Sequence, residues 1–303
     1  MERALLLARN GEGRVSPNPM VGAVIVCRDK IIGEGFHAFY GGPHAEVNAV
    51  NSVKAAYRHL LKESTMFVTL EPCAHYGKTP PCANLIVETG IPKVVIAALD
   101  PNPLVAGKGI EILKKAGVVV ERGILEEEAL KLNEIFFHSQ SSKLPWVILK
   151  WAQSADGFMA AINPDGNPSP VKFSSPLSSV WMHRERGKVD AIMVGSVTEK
   201  IDSPKLDVRL WGADSPRKIS CNSKLDCLSF LEDVRKRGFT SLMIEGGPTL
   251  LTSFINANAF DEIRLEVSPV LMGKGLPAPC LPKGLRLKKS SKNRNNIILT
   301  YRR

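Results

Sequence analysis

No run of apolar residues in this 303-residue chain approaches the roughly 18 that a membrane span requires. The first ten residues, Met1 to Asn10, read as a short amphipathic helix. They have neither the long apolar core nor the small-residue cleavage site of a secretory leader. Cysteine is scarce: of six residues, two sit in one compact pattern, which leaves no disulfide framework and implies a reducing, cytoplasmic compartment. Acid vanishes from the end of the chain. After Glu266 there is none, while Lys274, Lys283, Arg286, Lys288, Lys289, Lys292, Arg294, Arg302 and Arg303 are all basic. That tail supplies nearly the whole net charge of +10. A basic stripe spread over a fold would point to nucleic acid; a basic tail reads as solvated surface. The length implies two domains.

What is present is chemistry. His44-Ala45-Glu46 is answered by Glu71-Pro72-Cys73 and by Thr79-Pro80-Pro81-Cys82. One imidazole and two thiolates hold zinc with a fourth position open to water. His-x-Glu followed by a Pro-Cys pair is the pattern of zinc-dependent base deaminases, in which the Glu moves protons and does not bind metal. Zinc hydroxide would attack the ring, with Glu46 passing the proton to the departing ammonia.

Gly22–Cys27 and Lys30–Gly35 read as two strands joined by a tight turn. Pro43 is expected to open a helix with His44 and Glu46 in its first turn, so that a metal shared by them lies off the helix end. Met66–Leu70 is a buried strand delivering Cys73. Thr79 is the expected cap of a second helix, Pro80 its first residue and Gly90 its stop. Two helix N-termini then converge on the thiols and favour thiolate. Strands at 93–98 and 118–121 alternate with helices at 109–116 and 125–138, an α/β layer pattern. Asp100-Pro101-Asn102-Pro103 follows a strand, where ligand-binding loops of such sheets lie.

The two cysteines are nine positions apart, with eight residues between them, and that long loop carries a resemblance. Cys73–Cys82, Pro17-Asn18-Pro19-Met20-Val21-Gly22-Ala23, His44–Ala49, Asp100–Pro103 and Gly107-Lys108-Gly109 resemble the bifunctional pyrimidine deaminase/reductase of riboflavin biosynthesis. The resemblance implies zinc ligands His44, Cys73 and Cys82, Glu46 as acid/base, and a diaminopyrimidinone substrate bearing a phosphoribosylamino group. A phosphoribosyl tail needs donors at the pocket rim, and Asn18, Lys78, Asp100 and Asn102 are the candidates.

Ser139 to Pro145 breaks the pattern, placing the deaminase domain at 1–143 and a second domain at 144–303. Trp146–Gly157 reads as a strand running into a turn. Ser175 caps a helix that begins at Pro176 and ends near Gly187, and Val189–Gly195 is a buried strand. Ser241–Ile244 leads through Glu245-Gly246-Gly247-Pro248 into a helix, a corner whose backbone amides can approach a phosphate. The order of these pieces implies, by the same resemblance, a dihydrofolate-reductase-like α/β fold after a cytidine-deaminase-like three-layer α/β/α domain. It further implies NADPH against Ala152, Thr198, Asp202, Ser223, Gly246, Gly247, Pro248 and Thr249, with substrate at Arg186, Leu206, Arg209 and Glu245. The two arginines would hold the phosphate, and reductase domains of this kind imply a homo-oligomer. The chain passes from Ser223 almost directly to a helix near Cys227, shorter than the family's usual stretch. Both an active compact reductase and an active deaminase with an impaired reductase remain open. A polynucleotide deaminase and a binding protein with a vestigial site are the competing classes. The first has no need of the second domain, and the second no need of a complete metal set.

Overall fold

The computed structural model describes residues 1–74, 80–102, 106–220 and 226–303, with the side chains of residues 197, 201 and 202 outside that description. The chain forms two compact units, Met1–Ser141 and Ser142–Arg303.

The first unit runs α1 (Glu2–Ala8), β1 (Gly22–Cys27), β2 (Lys30–Phe36), α2 (Ala45–Ser52), β3 (Thr65–Leu70), α3 (Cys82–Thr89), β4 (Lys93–Ala98), α4 (Lys108–Lys115), β5 (Val119–Arg122), α5 (Glu126–Leu132) and α6 (Glu134–Ser141). Its sheet has the order β2-β1-β3-β4-β5; β1 is antiparallel to both neighbours, and β3, β4 and β5 are parallel. Strand side chains alternate between faces, and so does the core. Ile96 packs with α2, α3 and α4 through Ala49, Ile86 and Leu113, whereas Ala97 packs on the opposite face with Leu5 of α1 and Ala129 of α5. This is a three-layer α/β/α sandwich. Helix α2 lies directly on β2 because Gly33 and Gly35 present no side chain to it.

Three expected boundaries move. Helix α2 starts at Ala45, with His44 in extended conformation as its N-cap and Pro43 outside. Helix α3 starts at Cys82 after Pro81; Pro80 is not helical, and Thr79 lies outside the described residues. The single closing helix expected over 125–138 is two helices. Asn133 separates them, its side chain bonding the backbone N–H and C=O of Met20 at 2.8 Å each.

The second unit contains β6 (Trp146–Gln153), β7 (Phe158–Ile162), β8 (Pro168–Pro170), α7 (Pro176–Arg186), β9 (Ala191–Met193), α8 (Ser196–Asp202), β10 (Arg217–Ile219), α9 (Cys227–Lys236), β11 (Ser241–Glu245), α10 (Pro248–Asn256), β12 (Glu262–Val267), β13 (Leu276–Pro277), β14 (Arg286–Asn293) and β15 (Asn296–Arg302). Its main sheet has the order β10-β9-β11-β6-β12-β15-β14, parallel from β10 to β12 and antiparallel across β15 and β14. The central strands are apolar on both sides because helices cover both faces. Leu149 and Ile244 meet α9 and α10 through Leu231 and Phe254, while Ile148 and Met243 meet Met182 of α7. Ser175 caps α7 by accepting a hydrogen bond from the Ser178 amide. Much of the expected basic tail is an edge strand: Arg286, Lys288, Lys289 and Lys292 lie on β14. Charge on an exposed edge opposes pairing with another chain.

Candidate active sites

Strands β3 and β4 are parallel neighbours, and their carboxyl ends open onto one cavity of 440 Å³. Cys73 follows β3, and Asp100 and Asn102 follow β4; His44 and Glu46 come from the start of α2, and Asn18 from the loop before β1. All six line the cavity. Cys82 completes the group from the first position of α3. The His44 Nδ1 lies 3.3 Å from Cys82 Sγ and 3.6 Å from Cys73 Sγ, and the ligand atoms all fall within 4.8 Å of one another. Tetrahedral zinc with bonds of about 2.0 and 2.3 Å would put nitrogen and sulfur about 3.5 Å apart. The residues fit the metal.

The electrostatics suit thiolate at Cys73. The Cys82 amide, at the N-terminus of α3, donates to Cys73 Sγ at 3.3 Å. Hydrogen bonding from Cys82, and then from His44, holds the Cys73 thiol well below its usual range. The bond to Cys73, reinforced by burial, pushes Cys82 up, and the same Cys73 contact raises His44. Glu46 is 3 % exposed, and burial, with Cys73 second, lifts its carboxyl to about 7.

In the second unit a cavity of 660 Å³ opens at the carboxyl ends of β6, β9 and β11. Ala152, Thr198, Leu206, Glu245, Gly246, Gly247, Pro248 and Thr249 all line it. A side chain built at Gly247 would meet only the Thr198 hydroxyl, at 3.8 Å, so the glycine keeps the mouth of α10 open to a ligand. Leu206 is buried with φ of 51°, a left-handed backbone that costs a non-glycine residue roughly 1–2 kcal/mol.

A family model for the cytidine and deoxycytidylate deaminase zinc-binding region matches residues 1–98, and the RibD C-terminal domain matches 145–227 and 216–299. The riboflavin biosynthesis protein RibD of Bacillus amyloliquefaciens is 38% identical over 94% of this chain and 87% of its own length. The chain belongs to the RibD family. RibD of Aquifex aeolicus is 36% identical over 91% of this chain and 88% of its own. A crystal structure of the Thermotoga maritima deaminase/reductase superposes with a TM-score of 0.89 at 33% identity, covering 100% of this chain and 97% of that one. As a RibD, the protein is a two-domain enzyme of riboflavin biosynthesis, a zinc deaminase joined to an NADPH-dependent reductase. The two matched stretches of the RibD C-terminal domain overlap over 216–227. Among the described residues no helix is long and apolar enough to cross a membrane.

Both arginines expected to hold the phosphate have acidic partners. Arg186 is committed: its Nε and Nη2 donate to both Glu245 oxygens at 2.8 Å. Arg209 is exposed and pairs with Asp207 at 2.5 Å. Lys78 and Ser223 lie outside the described residues, as does the side chain of Asp202, which ends α8. Several lining residues escaped the sequence reasoning. His37, buried beside His44 with ring centroids 5.5 Å apart, bonds Pro43 O through Nδ1 at 3.0 Å and faces the Asn18 amide through Nε2 at 3.2 Å. Tyr40, Glu71, Phe136 and Gln140 also line the first cavity. Lys150 lines the second, paired in register with Glu245 on the neighbouring strand. A lysine inside the apolar run of β6 was the signal available for it.

Proposed function

We propose that the first unit deaminates a diaminopyrimidinone bearing a phosphoribosylamino group, and that the second reduces the ribosyl group of the product to ribityl phosphate with NADPH. The substrate named for the Thermotoga maritima enzyme is of this class. The observation that carries the reading is the convergence of His44, Cys73 and Cys82, from three separate elements, beside the buried Glu46. Zinc, when bound, supplies Lewis-acid activation of a water molecule. With zinc in place, Glu46 would take the proton released by the water and hand it to the amine that leaves as ammonia. Asn18, Asp100 and Asn102 meet the phosphoribosyl tail at the cavity rim, with Lys78 as the cation for its phosphate.

In the second unit Ala152, Thr198, Asp202, Ser223 and the segment Gly246, Gly247, Pro248 and Thr249 receive NADPH, whose phosphate groups suit the amides at the start of α10. The cofactor carries the hydride chemistry, and the protein orients it. Arg186, Leu206, Arg209 and Glu245 face the substrate, with Arg186 paired to Glu245. The chain works in the cytoplasm as a homo-oligomer formed through its second unit, which size-exclusion chromatography of full chain and isolated unit would test. One preparation assayed for zinc, ammonia release and NADPH oxidation tests the whole reading. We expect one zinc per chain and both activities. Zinc-loaded protein that releases no ammonia, or that shows no substrate-dependent oxidation of NADPH, would overturn it.

A further inference from the structure

Glu71 directly follows β3, two residues before Cys73, and is 4 % exposed. Among the described residues its side chain bonds backbone and not another side chain. Oε2 accepts from the Gly107 amide at 3.0 Å and the Asp100 amide at 3.4 Å; Oε1 accepts from Gly109 at 3.1 Å and Ile110 at 3.4 Å. A carboxylate offers about four lone-pair sites, so these four amides leave none for a ligand. The four donors belong to two segments. Gly107, Gly109 and Ile110 form the start of α4, and Asp100 begins the turn after β4, closed by the Asn102 amide donating to Asp100 Oδ1 at 2.9 Å. The chain between Glu71 and Cys73 also lies against α4: a Cβ at Gly109 would fall 2.0 Å from Pro72 O. One carboxylate therefore ties the strand end that delivers a metal ligand to the turn that delivers Asp100 and Asn102.

We propose that Glu71 is a positioning residue for the deaminase: it holds Asp100 and Asn102 at a fixed distance from the metal, so that substrate binding depends on a side chain with no capacity left to touch substrate. The inference rests on the assignment of Asp100 and Asn102 to the substrate. Glu71→Ala would leave four amides unsatisfied and threatens folding. Glu71→Gln keeps the size and one oxygen but turns an NH2 group toward amides that themselves donate.

The test is steady-state ammonia release by the full, zinc-loaded chain carrying Glu71→Gln, Asp100→Ala or both. For Glu71→Gln we expect KM to rise about tenfold, within the range for residues that support a site from behind. We expect kcat within about twofold and zinc at one per chain. The double variant should be no worse in KM than the poorer single one, because both changes release the same turn. An unchanged KM for Glu71→Gln, strictly additive effects, or a loss of zinc and kcat at constant KM would overturn the proposal. Asp100→Ala and Asn102→Ala with wild-type KM would instead remove the substrate assignment. If Glu71→Gln does not accumulate, hydrogen exchange of the wild-type Asp100, Gly107 and Gly109 amides reads the same contacts. Protection that increases with substrate supports the proposal, and exchange at open-loop rates sinks it.

Discussion

Adding one methyl group at Gly35 should cost the deaminase about two orders of magnitude while sparing the reductase. Gly35 lies on β2 under α2, the helix whose start carries His44 and Glu46. A Cβ there would lie 2.3 Å from Ala49 N, 2.5 Å from Ala45 O and 2.7 Å from the Asn48 carbonyl carbon, where ordinary contact begins at 3.4 Å. All three are backbone atoms of α2, so no side chain can swing away. Strand β2 is an edge but is paired to β1 along its length, with Gly35 opposite Ala23. The helix must therefore retreat by about 1 Å, enough to cost about 10²-fold in rate when it separates catalytic groups. Cys73 and Cys82 stay behind on other elements, and metal bonds tolerate only about 0.2 Å. Gly35→Ala should lower ammonia release about 10²-fold, roughly 2.7 kcal/mol of barrier. Zinc affinity should fall with it. NADPH oxidation with the deaminated intermediate is the internal control, because the second unit has its own core. Ammonia release within about threefold of wild type, with one zinc bound, would refute the reasoning; loss of both activities would mean that the chain had misfolded.

Glu46→Gln should abolish deamination, by 10²-fold or more for a proton-transfer group, and leave zinc bound because no ligand is touched; both are read on one sample. Arg264→Met should destabilise the second unit by about 1–3 kcal/mol, because it removes the buried cation shared by Glu262 and Glu185 and leaves them only Arg302 and Lys188. All four tryptophans lie beyond residue 145, so their fluorescence during urea unfolding reports that unit alone. Hydrogen bonds from Ser154 and the Gly273 and Met272 amides hold Asp156 down at about 2. With the folded value below the unfolded one of 3.8, its stabilisation is present above that value and lost as pH falls toward 2. The gap in thermal midpoint between wild type and Asp156→Asn should therefore close between pH 5 and about pH 2; a gap independent of pH would remove the linkage.

The metal set was legible because its chemistry is local. A His-x-Glu and two Pro-Cys pairs name their function through residue type, and strand signals on either side tell where each arrives. What stayed hidden depends on which strand lies beside which. Lys150 gains meaning only when β11 pairs with β6 and brings Glu245 opposite it, a juxtaposition of residues 95 positions apart. The partner of Arg186 was hidden for the same reason: nothing in its helix tells that Glu245 meets its fork. No strand was predicted at 262–267, where Glu262, Arg264 and Glu266 alternate with Ile263, Leu265 and Val267 and resemble a half-exposed edge. It is a central strand, and its charged face is buried because partners from elsewhere meet it: Glu185 from α7, Arg302 and Asn296 from β15. The cost of burying charge is a reason to read such a segment as solvent-facing, and long-range pairing overrides it. Glu71 combines both cases. Its place in the Glu-Pro-Cys motif was visible, but four amides supplied from 29 to 39 residues downstream decide what its carboxylate does. In this fold the metal site is written in short motifs, and the shell that holds it in place is written in the order of the strands.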